Sequence, residues 1–115
     1  MLTRLLTNLD QIEACLLSGE GKIVGGEGEG NITLFHRAMK MATTLNMGRI
    51  DEMWFEGGTT MGATAIRGGS SLWLSSDVVP VGRLSHEART LRPVIEDLLE
   101  VCICSIYPLE MLLIL

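Results

Sequence analysis

Apolar residues change their spacing several times along this 115-residue chain, and each change predicts a new element. Leucines three and four residues apart predict a short amphipathic helix over residues 2 to 10. A period near two follows and predicts two short strands, residues 12 to 18 and residues 22 to 24. The glycine-rich residues 19 to 21 lie between them, so the two strands should form a β-hairpin.

The longest regular helical pattern lies in the middle of the chain. Asn31 is a favourable N-cap and Gly48 a favourable residue just past a helix end, so we predict a helix from about residue 32 to residue 47. Its apolar side chains span an arc of roughly 160°, wider than the roughly 100° needed to cover one sheet face. These residues are Leu34, Phe35, Ala38, Met39, Met41, Ala42 and Leu45. Part of the arc is therefore expected to face a second molecule.

Three strands and a last helix complete the pattern. The period of two returns in residues 52 to 56, 61 to 67 and 71 to 76, and pairs of glycines between these segments predict an antiparallel meander. Apolar residues from 84 to 98 then recur at intervals of four and three residues, as in a helix that Pro93 should kink or split. The order α-β-β-α-β-β-β-α indicates an α+β domain with one antiparallel sheet and helices on its faces.

Composition and charge narrow the function classes. The hydrophobic fraction of 47% is typical of a globular chain, whereas an aromatic fraction of 4% means that aliphatic side chains must fill the core. The formal net charge is −5 and the basic residues are scattered singly, so we expect no nucleic-acid partner.

The first residues and the cysteines bear on the cellular setting. Arg4 and Asp10 interrupt the apolar start before a cleavable signal could form, and 3 cysteines are an odd number for a disulfide framework. We expect a reducing, cytoplasmic environment. The most apolar stretch, residues 101 to 115, contains Pro108 and Glu110 and is shorter than the roughly 18 to 20 residues that span a bilayer, so no membrane span is expected.

Candidate chemistry is sparse. Residues 102 to 104 supply two thiols, too few for a metal site on their own, and we interpret them as buried apolar side chains. The glycine-rich residues 26 to 30 precede a helix, but they include two glutamates and lack the lysine of a phosphate-binding loop. Adjacent carboxylates at residues 51 and 52, and at 96 and 97, diverge along their elements. We expect no catalytic residue, no metal ligand and no cofactor, and therefore no enzyme.

Three segments together resemble the Roadblock family. They are the hairpin IEACLLSGEGKIV of residues 12 to 24, the block from MWFEGG to MGATAI in residues 53 to 66, and SLWL at residues 71 to 74. The resemblance extends over about residues 2 to 100. We accordingly divide the chain into a Roadblock-like domain, residues 1 to 100, and an apolar C-terminal tail.

The resemblance implies both a fold and a function. It implies a five-stranded antiparallel sheet with one helix on one face and two on the other. It also implies a dimer of the chain with itself or with a paralogous Roadblock chain, in which the central helices pair and the third strands join the sheets. Members of the family serve as dynein light chains, as scaffolds for small GTPases and, in bacterial polarity systems, as activators of a Ras-like GTPase. The expected function is thus a non-catalytic module that regulates a small Ras-like GTPase or scaffolds a motor or signalling complex.

A profilin-like or PAS-like sensor of a small ligand is the alternative. Such domains also place helices against an antiparallel sheet, but a sensor needs a pocket on which polar groups converge. The sequence offers no clear set of such groups.

The predicted interface combines the central helix with the third strand. Its residues are Leu34, Phe35, Ala38, Met39, Ala42, Met53 and Trp54. Phe35, Met39 and Ala42 are expected to touch the partner directly, whereas Trp54 belongs either to the core or to the interface. Arg37 and Lys40 are expected either to steer a GTPase by their charge or to form a solvated helix face.

The tail, residues 101 to 115, is too apolar to remain in water. We expect Pro108 to end the last helix, so that residues 109 to 115 return along the domain as an extended segment or lie in a groove of a neighbouring subunit. Binding to a membrane surface is the rival interpretation, which Glu110 and the missing basic flank oppose.

Overall fold

A computed structural model describes the backbone of residues 2 to 114 and the side chains of residues 2 to 100. The elements are α1 (Leu2–Thr7), β1 (Glu13–Leu17), β2 (Ile23–Gly26), α2 (Ile32–Thr44), β3 (Glu52–Phe55), β4 (Thr60–Ala65), β5 (Ser71–Ser76) and α3 (Val81–Ile114). The strands form one five-stranded antiparallel sheet in the order β2-β1-β5-β4-β3. The predicted α+β class and element order are confirmed.

The strand register divides the core between the two faces of the sheet. One row of cross-strand neighbours runs Cys15, Trp73, Ala63 and Met53, and the adjacent row runs Ala14, Leu74, Gly62 and Trp54. Because successive residues of a strand point to opposite faces, the two rows belong to different cores. The first row packs with α2, and the second lies on the face that α1 and α3 cover.

The core beneath α1 and α3 is the larger one and is mainly aliphatic. Its buried residues are Leu6, Ile12, Ala14, Leu16, Ile66, Leu72, Leu74, Val79, Leu84, Ala88, Leu91 and Ile95. The core beneath α2 is smaller and consists of Cys15, Leu17, Phe35, Ala63 and Trp73. The sheet therefore has one helix on one face and two on the other, as the resemblance implied.

Trp73 explains the glycine-rich loop ahead of α2. A Cβ atom on Gly30 would lie 2.6 Å from Cγ of Trp73 and 2.7 Å from Cδ1 of Leu17, so only glycine lets the backbone pass this close to the indole. Gly30 is thus required by the packing of this loop against the α2 core.

The caps of α2 agree with the sequence at one end and differ at the other. The Leu34 amide donates to Oδ1 of Asn31 at 3.0 Å, as expected of an N-cap. At the other end Asn46, with φ of 59°, is the left-handed residue that directly follows the helix, and Gly48, with φ of 88°, lies two residues further on. Hydrogen bonds from Met47 to the Ala42 carbonyl and from Asn46 to the Thr43 carbonyl complete this end, so α2 is shorter than predicted.

Helix α3 continues past Pro93 and Pro108, so Pro93 does not split it and the expected end at Pro108 is wrong. Proline removes one backbone donor, and for Pro93 the carbonyl left without that partner belongs to Arg89. Both residues lie on the exposed side of α3, where water replaces the bond, while Leu91 and Ile95 anchor the buried side. The expected extended return of the tail does not fit a helix that reaches Ile114.

The side chains of the tail, residues 101 to 115, lie outside those that the structure describes. The division between domain and tail therefore remains a prediction.

We predict that Gly62→Ala destabilises the fold. The added Cβ would overlap the Trp54 indole and the Met53 carbonyl on the neighbouring strand, and overpacking of this kind costs about 1 to 3 kcal/mol. Gly58→Ala is the matched control, because a Cβ there meets no atom within 4 Å. Urea unfolding should show a lower midpoint for Gly62→Ala alone; equal midpoints for the two variants would contradict this packing.

Candidate functional site

Helix α2 presents one apolar face to the sheet. Phe35 and Ala42 are 3% and 2% exposed, and Met39 packs against the same cluster. The Phe35 ring meets the Trp73 indole edge-on, with 6.2 Å between the ring centroids. This aromatic contact sets which side of α2 faces the sheet.

A second apolar face of α2 points away from the sheet. Met41 is 63% exposed, Leu45 is 61% exposed and Leu34 is 40% exposed, whereas Ala38 is half-buried. The four residues are spaced four, three and four apart, so they form one stripe along the helix, roughly 100° around from the buried face. We call Leu34, Ala38, Met41 and Leu45 the α2 stripe. Side chains at this spacing are those by which one helix contacts another.

This division of α2 changes the predicted interface. Phe35 and Ala42 are buried in the chain's own core, so they are not available for a partner to touch, and Met39 is partly buried with them. Leu34 and Ala38 belong to the α2 stripe as expected. Met41 and Leu45, which the sequence placed in the apolar arc but not among the interface residues, complete it. Their spacing with Leu34 was the signal that identified them.

Two cations lie beside the α2 stripe. Arg37 and Lys40 are exposed, and together with Met41, Thr44 and Leu45 they line a shallow surface groove of about 390 Å³. Among the side chains that the structure describes, neither cation takes part in an ion pair. Their charge is therefore presented to solvent next to an apolar surface.

The two predicted interface residues of β3 lie on different faces of the sheet. Met53 packs against the α2 core, whereas Trp54 packs on the α1 and α3 side, where its Nε1 donates to Oε1 of Glu52 at 3.0 Å. Phe55 returns to the α2 side and is 42% exposed. Strand β3 pairs with β4 and ends the sheet, so its other edge carries backbone groups without a strand beside them.

A separate cleft lies away from α2, at the end of the sheet where β1 begins and β5 ends. It measures about 650 Å³, and Glu13, Glu27 and Asp77 are among its lining residues. The Thr59 hydroxyl donates to Oδ1 of Asp77 at 2.9 Å at its rim. In the described part of the chain no three His, Cys, Asp or Glu side chains form a group that could hold a metal, and each buried polar side-chain atom has a hydrogen-bond partner.

Cys15 is buried in the α2 core. Burial, followed by the charge of Glu13, raises the pKa of its thiol to about 11. At neutral pH the thiol is therefore protonated and packs as a small apolar side chain. Cys102 and Cys104 lie outside the residues whose side chains are described.

The length and hydropathy of the helices decide whether one of them could span a membrane. Within the residues that the structure describes, none of the helices is both long and apolar enough to cross a bilayer.

Comparison with known proteins gives a fold and no sequence relative. No protein-family model and no curated protein matches the sequence. Among solved structures, the Roadblock/LC7 domain from Streptomyces avermitilis superposes with a TM-score of 0.70 at 15% identity, covering 86% of this chain and 94% of that one. Myxococcus xanthus MglB superposes with a TM-score of 0.69 at 14% identity, covering 87% of this chain and 95% of that one. The chain thus has a Roadblock-like fold.

Proposed function

We propose that the chain is a dimeric, non-catalytic interaction module that binds and regulates a small Ras-like GTPase or scaffolds a motor or signalling complex. The observation that carries the proposal is the α2 stripe, an apolar surface on a helix whose other apolar face is already buried. The Roadblock-like fold supports it, since the family resemblance implies pairing through the central helix.

A second copy of this chain, or a paralogous Roadblock chain, is the partner that best fits the α2 stripe. A two-fold axis brings the same surface patch of two copies together. The α2 stripe of one copy can therefore pack on the α2 stripe of the other without needing a second, complementary surface. Each buried square ångström of apolar surface contributes about 25 cal/mol. The open edge of β3 adds unpaired backbone donors and acceptors to the same interaction, with Met53 and Phe55 on the α2 side of that strand.

Arg37 and Lys40 support the GTPase part of the proposal. In a dimer built on α2, each copy brings both cations to the rim of the helix pair, which doubles the local positive charge of a chain whose net charge is −5. Such a rim steers an acidic patch of a partner and raises the association rate. If GTP hydrolysis is accelerated, we propose that the module orders the GTPase's own catalytic residues.

We predict that Met41→Glu converts the dimer into a folded monomer. A carboxylate in the centre of an apolar helix pair should weaken association by about 2 kcal/mol or more. The stability of the monomer should change little, because Met41 is 63% exposed. Size-exclusion chromatography with light scattering measures the mass, and thermal unfolding checks the fold.

His36→Glu is the matched control for Met41→Glu. His36 is an exposed residue of the same helix, roughly 140° around from Met41. It should leave the dimer intact. A Met41→Glu variant that stays dimeric with unchanged stability would rule out the α2 stripe as the interface.

We predict that the double variant Arg37→Glu, Lys40→Glu weakens binding to a small Ras-like GTPase. Reversing the rim charge should lower the association rate about tenfold at low salt and remove its salt dependence. Stopped-flow or surface-based kinetics at several ionic strengths would measure both effects. The control is Arg4→Glu with Arg83→Glu, two exposed cations on α1 and α3. Equal rates for the two double variants would place the GTPase on another surface.

A further inference from the structure

Three side chains tie the edge strand β3 to helix α3. Glu52 accepts hydrogen bonds from two donors, Nε1 of Trp54 at 3.0 Å on one carboxylate oxygen and Nε of Arg89 at 3.2 Å on the other. Glu52 is 22% exposed, whereas Arg89 reaches across from α3 and is 68% exposed. We call Glu52, Trp54 and Arg89 the β3 brace.

The brace adds a side-chain link to a short strand that is otherwise held by its ladder with β4 and by the packing of Met53 and Trp54. Strand β3 has four residues and none of them is fully buried. Its ladder with β4 is on one side only, extended by one bond from the Ala65 amide to the Asp51 carbonyl. Gly62 on β4 leaves the space that the Trp54 indole occupies, so the ring lies flat over the neighbouring strand. The brace then fixes the polar end of that ring.

The charge of Glu52 gives the brace a second effect. A carboxylate on an edge strand discourages another strand from pairing there, which is how many sheets avoid unwanted association. Arg89 compensates this charge within the same chain and draws the carboxylate towards α3. The charge of Glu52, the charged residue of β3, is then paired within the chain.

We propose that Glu52 and Arg89 are positioning residues that hold β3 in the form with which a second copy pairs. The inference rests on the proposed dimer and adds the determinant of its sheet edge. Arg89 matters more than Glu52, because removing Arg89 leaves a lone carboxylate at the edge, whereas Glu52→Gln removes the charge and keeps an acceptor for Trp54.

The test is a double-mutant cycle on dimer dissociation, measured by light scattering over a dilution series. Arg89→Gln should raise the dissociation constant about tenfold. Glu52→Gln should raise it about threefold or less, and the double variant should match Glu52→Gln because the lone charge is gone. Hydrogen exchange of residues 50 to 56 should accelerate most in Arg89→Gln, since the strand is loosened.

Arg67→Gln is the matched control for Arg89→Gln. Arg67 is 71% exposed and also joins the sheet to α3, through Glu96, but it lies in the β4–β5 turn away from β3. It should lower the unfolding temperature about as much as Arg89→Gln and leave dimerisation unchanged. A purely structural role for the brace would instead make the two variants indistinguishable in dimerisation, which would overturn the inference.

The result for the unmodified chain separates this inference from the proposed function. A chain that stays monomeric at every concentration overturns the dimer and, with it, the pairing role of the brace. A dimer whose dissociation constant is no more sensitive to Arg89→Gln than to Arg67→Gln overturns the brace alone. A larger effect of Arg89→Gln, relieved by adding Glu52→Gln, supports it.

Discussion

The burial of β5 on both of its faces is the constraint on which the rest of the structure depends. Leu72, Trp73 and Leu74 are consecutive and at most 1% exposed, so side chains pointing in opposite directions must all be covered. A sheet with such a central strand needs helices on both faces. Leu72 and Leu74 belong to the core beneath α1 and α3, whereas Trp73 belongs to the core beneath α2. The Trp73 indole contacts Phe35 edge-on, and the backbone of Gly30 passes close beside it. Trp73 therefore determines both the path of the chain into α2 and the orientation of α2 on the sheet.

The orientation of α2 in turn determines what the molecule offers to a partner. Once Phe35 faces Trp73, the helix geometry sends Met41 and Leu45 outward, together with the cations on the neighbouring turns. Exposed large apolar residues that occur singly are common on proteins, but a stripe of them along one helix marks a contact surface. The exposed α2 stripe is therefore a consequence of core packing, because the residues that fill the core determine which apolar residues remain outside.

At the edge strand β3, packing also determines which polar side chains come together. The alternation of β3 places Met53 with the α2 core and Glu52 and Trp54 on the other face. Trp54 has room because β4 carries Gly62, and its Nε1 finds an acceptor because Glu52 precedes it by two residues on the same face. A half-buried carboxylate in this place requires a cation, which α3 supplies as Arg89. The contact between Glu52 and Trp54 follows from their spacing along the strand, whereas the contact between Glu52 and Arg89 follows from the packing of α3 on the sheet.

The sequence by itself determined the order of the elements, the single antiparallel sheet and the existence of more apolar surface on α2 than one sheet needs. Those properties are periodic, and a period is local in the chain. The tertiary structure decided which part of the apolar arc is buried, because only the position of Trp73 against Phe35 distinguishes the two sides. It decided that α3 passes Pro93 unbroken, since Leu91 and Ile95 pack tightly enough to outweigh one lost hydrogen bond. It also decided that Arg89 reaches Glu52, because residues this far apart in the chain meet only through the packing of a helix on a sheet.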